Sequence, residues 1–189
     1  QSIDYNLALN YFDSVLKGDF SSQEKANAFA AKWGVLKAYG SYSELIQDEQ
    51  VDLVYVATPH SHHYDITREA ILADKPCLVE KAFMANLRQS QDIVQLARER
   101  KVFIAEAIWT RYQPAVQMIR QLIASNRIGT PRLITATLGY SMGDKPRIMR
   151  PDLCGGALLD LGVYAINFVR MFCDSAIENI ESQCVKSDT

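Results

Sequence analysis

Val51-Asp52-Leu53-Val54-Tyr55-Val56-Ala57-Thr58-Pro59-His60 is the stretch that decides the fold. Residues 51–57 are a near-continuous apolar run, the pattern of a strand covered on both faces. Thr58-Pro59 ends the run, and a helix is predicted over 62–73. The same alternation follows twice more. Pro76-Cys77-Leu78-Val79 reads as a strand with Glu80-Lys81 at its carboxyl end, and Asn86 or Ser90 opens an amphipathic helix to Arg100. Val102-Phe103-Ile104-Ala105 reads as the next strand, ending in Glu106-Ala107-Ile108-Trp109-Thr110-Arg111. Strand then helix, repeated, predicts parallel strands joined by helical crossovers. In open sheets of this kind ligands gather outside the carboxyl ends of the strands, so Thr58 to His63, Glu80-Lys81 and Glu106 to Arg111 are expected to line one crevice.

Upstream, Leu7-Ala8-Leu9-Asn10-Tyr11-Phe12 and Val15-Leu16 fit strand or helix equally, because short apolar runs do not separate the two. Ser21 or Ser22 is read as the N-cap of a helix through Ala28, Phe29, Ala31 and Trp33, ended by Gly34. Lys37-Ala38-Tyr39 is read as a short strand, and Ser41-Tyr42-Ser43-Glu44 has capping-box spacing before Leu45 and Ile46. Downstream, a helix is predicted over 114–124, a turn over 126–129 and a strand of a second sheet over 132–138. Residues 140–151, with two prolines and four charged residues, read as a loop able to lie over a site. A helix over 155–170 and a strand over 177–184 complete the chain. The fold class expected is α/β: an incomplete parallel sheet over residues 1–112, then the start of an α+β open-sheet domain over 113–189.

The composition supplies a core, with 48% hydrophobic residues in 189, and a net charge of −2 without blocks of like charge. Neither nucleic acid nor anionic lipid is an expected partner. The first residues lack a basic start followed by an apolar run, and no apolar stretch approaches the roughly 18 residues of a membrane span. A cytoplasmic protein without membrane contact is therefore expected. Cys77, Cys154, Cys173 and Cys184 are widely spaced in apolar contexts, so neither disulfides nor a thiolate metal site is expected.

Chemistry concentrates in Gly155-Gly156-Ala157-Leu158-Leu159-Asp160-Leu161-Gly162-Val163-Tyr164-Ala165-Ile166-Asn167. On a helix Asp160 and Tyr164 lie one turn apart on one face and Asn167 follows, polar groups in an apolar surface. They either satisfy one another in a core or form a site, in which a carboxylate and a phenol act as an acid/base pair behind a Gly-Gly open to close approach. All three histidines fall in His60-Ser61-His62-His63, but adjacent positions at a strand-to-helix turn point apart, so no metal site is expected. Glu80-Lys81 reads as a surface ion pair or as a cation that favours the charged form of a nearby phenol such as Tyr164.

Taken in order, the 51–60 stretch with His63, Glu80-Lys81, Glu-Ala-Ile-Trp-Thr-Arg at 106–111 and Gly-Gly-Ala-Leu-Leu-Asp-x-Gly-x-Tyr at 155–164 resemble the Gfo/Idh/MocA oxidoreductases. Within them the chain is most similar to the dimeric dihydrodiol dehydrogenase and NADP-dependent D-xylose dehydrogenase branch. The resemblance implies a Rossmann-like domain and hydride transfer between NADP(H), with NAD as the alternative, and a carbon of a small sugar or diol. It implies a homodimer as well. By position, Tyr164 would be the acid/base, Lys81 would tune it and touch substrate and ribose, and Asp160 would orient the substrate hydroxyl. Ala57, Thr58, Pro59, His60, His63 and Glu80 would line the nicotinamide side, with Trp109 and Arg111 packing beside the cofactor. Apart from the resemblance, a third reading has only the second half binding a ligand, through Asp160 and Arg147 or Arg150.

Four departures stand against the resemblance. There is no Gly-x-Gly-x-x-Gly turn, whose glycines let a backbone approach a pyrophosphate. Gly18 stands where related chains usually carry arginine for the ribose 2′ group, a role that Lys17, Ser21 or Ser22 could take instead. Ala82 replaces the proline expected after Glu-Lys, and the chain ends about 25 residues beyond Tyr164. A non-catalytic, shortened relative that keeps a sugar-binding or assembly surface is the second reading.

Overall fold

The computed structural model describes residues 23–185. The candidate caps Ser21 and Ser22, the candidate ribose-side residues Lys17 and Gly18, and the ambiguous opening run lie outside the described residues. The chain divides into two compact units, Gln1–Ala107 with Asp152–Cys154, and Ile108–Pro151 with Gly155–Thr189.

The first unit contains the predicted alternation. Helix α1 (Gln23–Trp33) ends at Gly34, whose φ of +68° is open to glycine at little cost. Helix α2 (Tyr42–Gln47) starts as its sequence indicates, with Ser41 Oγ accepting from the Glu44 N–H at 3.2 Å. The Glu44 carboxylate reaches back to the Gly40 N–H at 3.0 Å. Strands β1 (Val54–Val56), β2 (Cys77–Val79) and β3 (Ile104–Glu106) alternate with helices α3 (His60–Leu72) and α4 (Leu87–Arg100). The strands pair in parallel in the order β1-β2-β3, with Val56 opposite Val79 and Val79 opposite Glu106. That register brings the carboxyl ends of all three strands to one edge.

The core lies between this sheet and its helices, where Val54, Val56, Cys77 and Val79 meet Ile66, Ala70, Ile71, Ile93 and Ala97. Each fully buried Val or Ile contributes about 1.5–3 kcal/mol. Alternation explains the choice of faces: β1 and β2 bury their first and third residues more deeply than the second. Asn86 rather than Ser90 caps α4, its side chain accepting from the Gln89 N–H at 3.1 Å. Lys75 Nζ donates to the Asp48 and Val51 carbonyls, each at 2.8 Å, and pins the lead into β1.

The second unit opens with a 3-10 turn (Trp109–Tyr112) and α5 (Pro114–Ala124), whose Pro114 occupies a first-turn position where no N–H is needed. The 3-10 turn bonds to residues of the later helix and belongs to this unit, which begins at Ile108. Residues 140–151 are not wholly loop: α6 (Pro146–Met149) forms within them, and a further 3-10 turn spans Pro151–Leu153. The helix predicted over 155–170 is two elements, a π-helical turn (Leu158–Gly162) followed by α7 (Val163–Phe172).

Three expected strands are absent. Residues 37–39, 132–138 and 177–184 carry no strand. A strand exists only by pairing, and among the described residues these segments have no ladder partner. Lys37 and Tyr39 instead turn their side chains to Asp48, the tyrosine hydroxyl donating at 2.6 Å. The run Pro151–Phe172 is also long and apolar enough, by length and composition alone, to cross a membrane, with mean hydropathy 1.3. A count of uninterrupted apolar residues missed it, because Asp152, Asp160 and Arg170 break the run.

Candidate functional site

In the first unit the sheet's carboxyl edge holds Thr58 and Pro59 after β1, Glu80-Lys81 after β2 and Glu106 at the end of β3. Ala57, Thr58 and Pro59 line a cavity of about 420 Å³ whose other walls include Ala30, Tyr39 and Tyr42. Tyr39 and Tyr42 were not singled out in sequence, because only packing brings α1, α2 and β1 around one space. Thr58 Oγ1 and Ser61 Oγ are buried without a hydrogen-bond partner among the described residues. They sit where β1 passes into the amino end of α3, whose dipole favours negative charge. Two unsatisfied hydroxyls and a helix amino end fit a polar ligand such as the nicotinamide-side half of a dinucleotide. No glycine-rich turn for its pyrophosphate is present in the sequence.

The histidines do different work from that expected. His63 is fully buried, so it lines no accessible wall. Its Nε2 lies 2.9 Å from the Thr58 carbonyl, and its Nδ1 lies 3.0 Å from the Ala82 and 3.2 Å from the Phe83 carbonyl. Burial pulls its pKa below the ordinary 6.5. His60 is nearly as buried, its Nδ1 3.1 Å from the Cys154 carbonyl and its Nε2 3.3 Å from that of Lys81. The two rings, edge to face at 5.6 Å, thus face successive carbonyls of the Lys81–Phe83 turn. Glu106 adds an acceptor to the Phe83 N–H at 2.9 Å, and Glu80 accepts from the Lys81 N–H at 3.1 Å and from the Tyr55 hydroxyl. The turn that lacks a proline is held by side chains instead.

In the second unit Trp109, Arg111, Arg147, Asp160, Tyr164 and Asn167 come together in two groups. Trp109 Nε1–H donates to the Tyr164 hydroxyl at 3.2 Å, with the rings nearly perpendicular and 6.4 Å apart. Arg111 Nε–H donates to Asn167 Oδ1 at 3.0 Å, and Asn167 Nδ2 donates to the Val163 carbonyl at 3.2 Å, which uses both ends of the amide. Asn167 therefore belongs to the site's support, and the Trp-Thr-Arg string serves α7. Arg147 Nη1 donates to Asp160 Oδ1 at 2.6 Å. Asp160 is only 2% exposed, on the π-helical turn in which the Val163 N–H reaches back to the Leu158 carbonyl. Wide turns of this kind aim a side chain where an α-helix would not, and are frequent at functional sites.

The Gly-Gly pair also has a different use from the one expected. A Cβ on Gly155 would lie 2.3 Å from the Ile148 carbonyl oxygen, and the Gly156 N–H donates to that same oxygen at 2.8 Å. Gly156 adopts φ +113°. The close approach is made by the chain's own α6.

A parallel sheet with polar turns at its carboxyl edge, followed by a unit carrying a carboxylate and a phenol on one helical run, defines an α/β protein of the Rossmann kind. Residues 19–107 match the model described as oxidoreductase family, NAD-binding Rossmann fold, and residues 116–189 match the GFO/IDH/MocA C-terminal domain. The chain belongs to the Gfo/Idh/MocA oxidoreductase family. It is 46% identical over 143 residues to D-xylose 1-dehydrogenase (NADP(+)) of Hypocrea jecorina, covering 70% of this chain and 37% of that one. It is 41% identical over 165 residues to trans-1,2-dihydrobenzene-1,2-diol dehydrogenase of Danio rerio, covering 87% and 49%. The chain thus spans half or less of the length of these relatives. An NAD binding oxidoreductase from Klebsiella pneumoniae shares the fold at TM-score 0.67 and 27% identity, over 88% of this chain and 48% of that one.

Proposed function

We propose that this chain carries the catalytic residues of an NADP-dependent dehydrogenase that moves a hydride between the nicotinamide and a CH–OH carbon of a small sugar or diol. The observation that carries this reading is the hydrogen bond from the Trp109 indole to the Tyr164 hydroxyl. A donor on a phenol oxygen favours the phenolate, the form that takes a proton from an alcohol. NADP supplies the hydride acceptor or donor when bound. Thr58, Pro59 and Glu80 are the residues that hold its nicotinamide side. Tyr164 takes the hydroxyl proton as the alcohol is oxidised and returns it on reduction, Lys81 favours that exchange by its positive charge, and Asp160 orients the substrate hydroxyl. The activities of the two relatives, a xylose and a dihydrodiol dehydrogenase, support the substrate class. A homodimer in the cytoplasm is part of this reading; the four free thiols support the reducing compartment alone.

The test is titration of purified protein with NADPH by nicotinamide fluorescence, followed by turnover with pentoses and trans-diols. Saturable binding near the micromolar range, about 8 kcal/mol, and a fall of roughly 10²–10⁴-fold in turnover in Tyr164→Phe are expected. Full rate in Tyr164→Phe would remove the acid/base assignment. A non-catalytic member with a sugar-binding or assembly surface is the second reading. That reading predicts a folded protein with no NADPH binding, indifferent to Tyr164→Phe and Lys81→Met.

A further inference from the structure

The Arg147–Asp160 ion pair is drawn well out of solvent, with side-chain exposures of 23% and 3%. A cation drawn this far from water needs a reason, because desolvating a guanidinium is costly unless it is paired. Sugars and dihydrodiols are neutral, so the substrate class offers no anion to supply one. Asp160 does.

The backbone around Arg147 is built to deliver it. Helix α6 is four residues long, too short to persist without packing. It is seated on the Gly-Gly pair by Gly156 N–H to Ile148 O at 2.8 Å and Gly155 N–H to Arg150 O at 3.1 Å. No side chain fits at Gly155, where a Cβ would meet the Ile148 and Arg147 carbonyl oxygens at 2.3 and 2.9 Å. The segment is thus fastened at its backbone to the residues just before the π-helical turn and at its side chain to Asp160 on that turn.

Resting on the dehydrogenase reading, we propose that Arg147 is a positioning residue that acts on Asp160 and not a ligand of the substrate, which makes residues 140–151 the segment that sets where a substrate hydroxyl is held. Arg147 keeps Asp160 ionised and aimed. Changes in the 140–151 segment then reach the substrate through this carboxylate.

A double-mutant cycle of Arg147→Gln and Asp160→Asn in the full chain tests this, read in kcat/KM for the best sugar or diol. Arg147→Gln is expected to lower kcat/KM about 30-fold alone and by no more than about threefold in the Asp160→Asn background. The acid limb of its rate profile moves to higher pH, because the carboxylate has lost its cation. Arg147→Lys recovers part of both effects and serves in its place where Arg147→Gln does not fold. Equal losses in both backgrounds, or an unmoved acid limb with a rise in KM alone, would overturn the proposal and place Arg147 on the substrate. If the wild-type chain turns over no sugar or diol, the dehydrogenase reading fails, yet the pair is still decided by carbon-13 NMR of Asp-labelled protein. The Asp160 carboxyl, assigned with Asp160→Asn, then titrates at higher pH in Arg147→Gln than in wild type; coincident titrations overturn the pairing.

Discussion

The indole N–H of Trp109 points at the hydroxyl oxygen of Tyr164 across 3.2 Å, joining the 3-10 turn after β3 to the first turn of α7. Fifty-five residues separate the two in sequence. Trp109→Phe keeps an aromatic ring and deletes the donor. Loss of about 1 kcal/mol of phenolate stabilisation predicts a roughly fivefold slower oxidation at neutral pH. The rate is recovered at higher pH, since base replaces what the donor supplied. A pH–rate profile of the variant against wild type checks this, and superimposable profiles would show that the bond has no part in proton transfer.

Gly155→Ala is expected to be far more damaging than an exposed glycine change. The new methyl cannot coexist with the Ile148 carbonyl, so α6 must leave its seat or the chain must distort. A loss of about 1–3 kcal/mol in denaturant unfolding is expected. Gly143→Ala, with open space around its Cβ, serves as the control and should unfold with wild-type stability.

His63 makes stability depend on pH in a definite direction. Its folded pKa lies below the ordinary 6.5 because burial penalises the cation. Stability from this residue is therefore present in full above about 6.5 and is lost as pH falls toward the folded value. Thermal midpoints should decline between neutral pH and pH 5. In His63→Asn, which starts lower, the decline should be shallower, and parallel curves would exclude His63 as its source.

The thiols should report the fold. Cys77 is buried in β2 and its pKa is pushed up to about 11 by burial, whereas a hydrogen bond with Ser175 lowers that of Cys173. A disulfide reagent at pH 8 should label Cys173 and the exposed Cys184 in seconds to minutes, and Cys77 only on unfolding. Rapid labelling of Cys77 in the native protein would mean that the sheet opens locally.

The alternation of strand and helix from residue 51 to residue 106 was legible because it rests on local signals. Buried parallel strands need consecutive apolar residues, Ser41 and Asn86 mark helix starts by bonds that span three residues, and Pro114 marks one by filling a first-turn position that needs no N–H. The candidate site residues Asp160 and Tyr164 were legible as polar groups in an apolar helix, and Lys81 by its place at the carboxyl end of a strand. Their partners were not. His63 looked like a wall residue until its ring was found among three backbone carbonyls, and the sequence did not show that Arg147 pairs with Asp160.

What the sequence by itself determined was the parallel α/β unit and the family to which the motifs belong. These follow from periodicity and from residue type, which a chain carries wherever it is placed. Only the tertiary structure decided that the Gly-Gly pair receives α6, that a π-helical turn carries Asp160, that Trp109 and Arg111 serve α7, and that residues 132–138 and 177–184 stay unpaired among the described residues. Each of these depends on a hydrogen-bond partner or a close contact distant in sequence, and local pattern does not specify which distant group arrives.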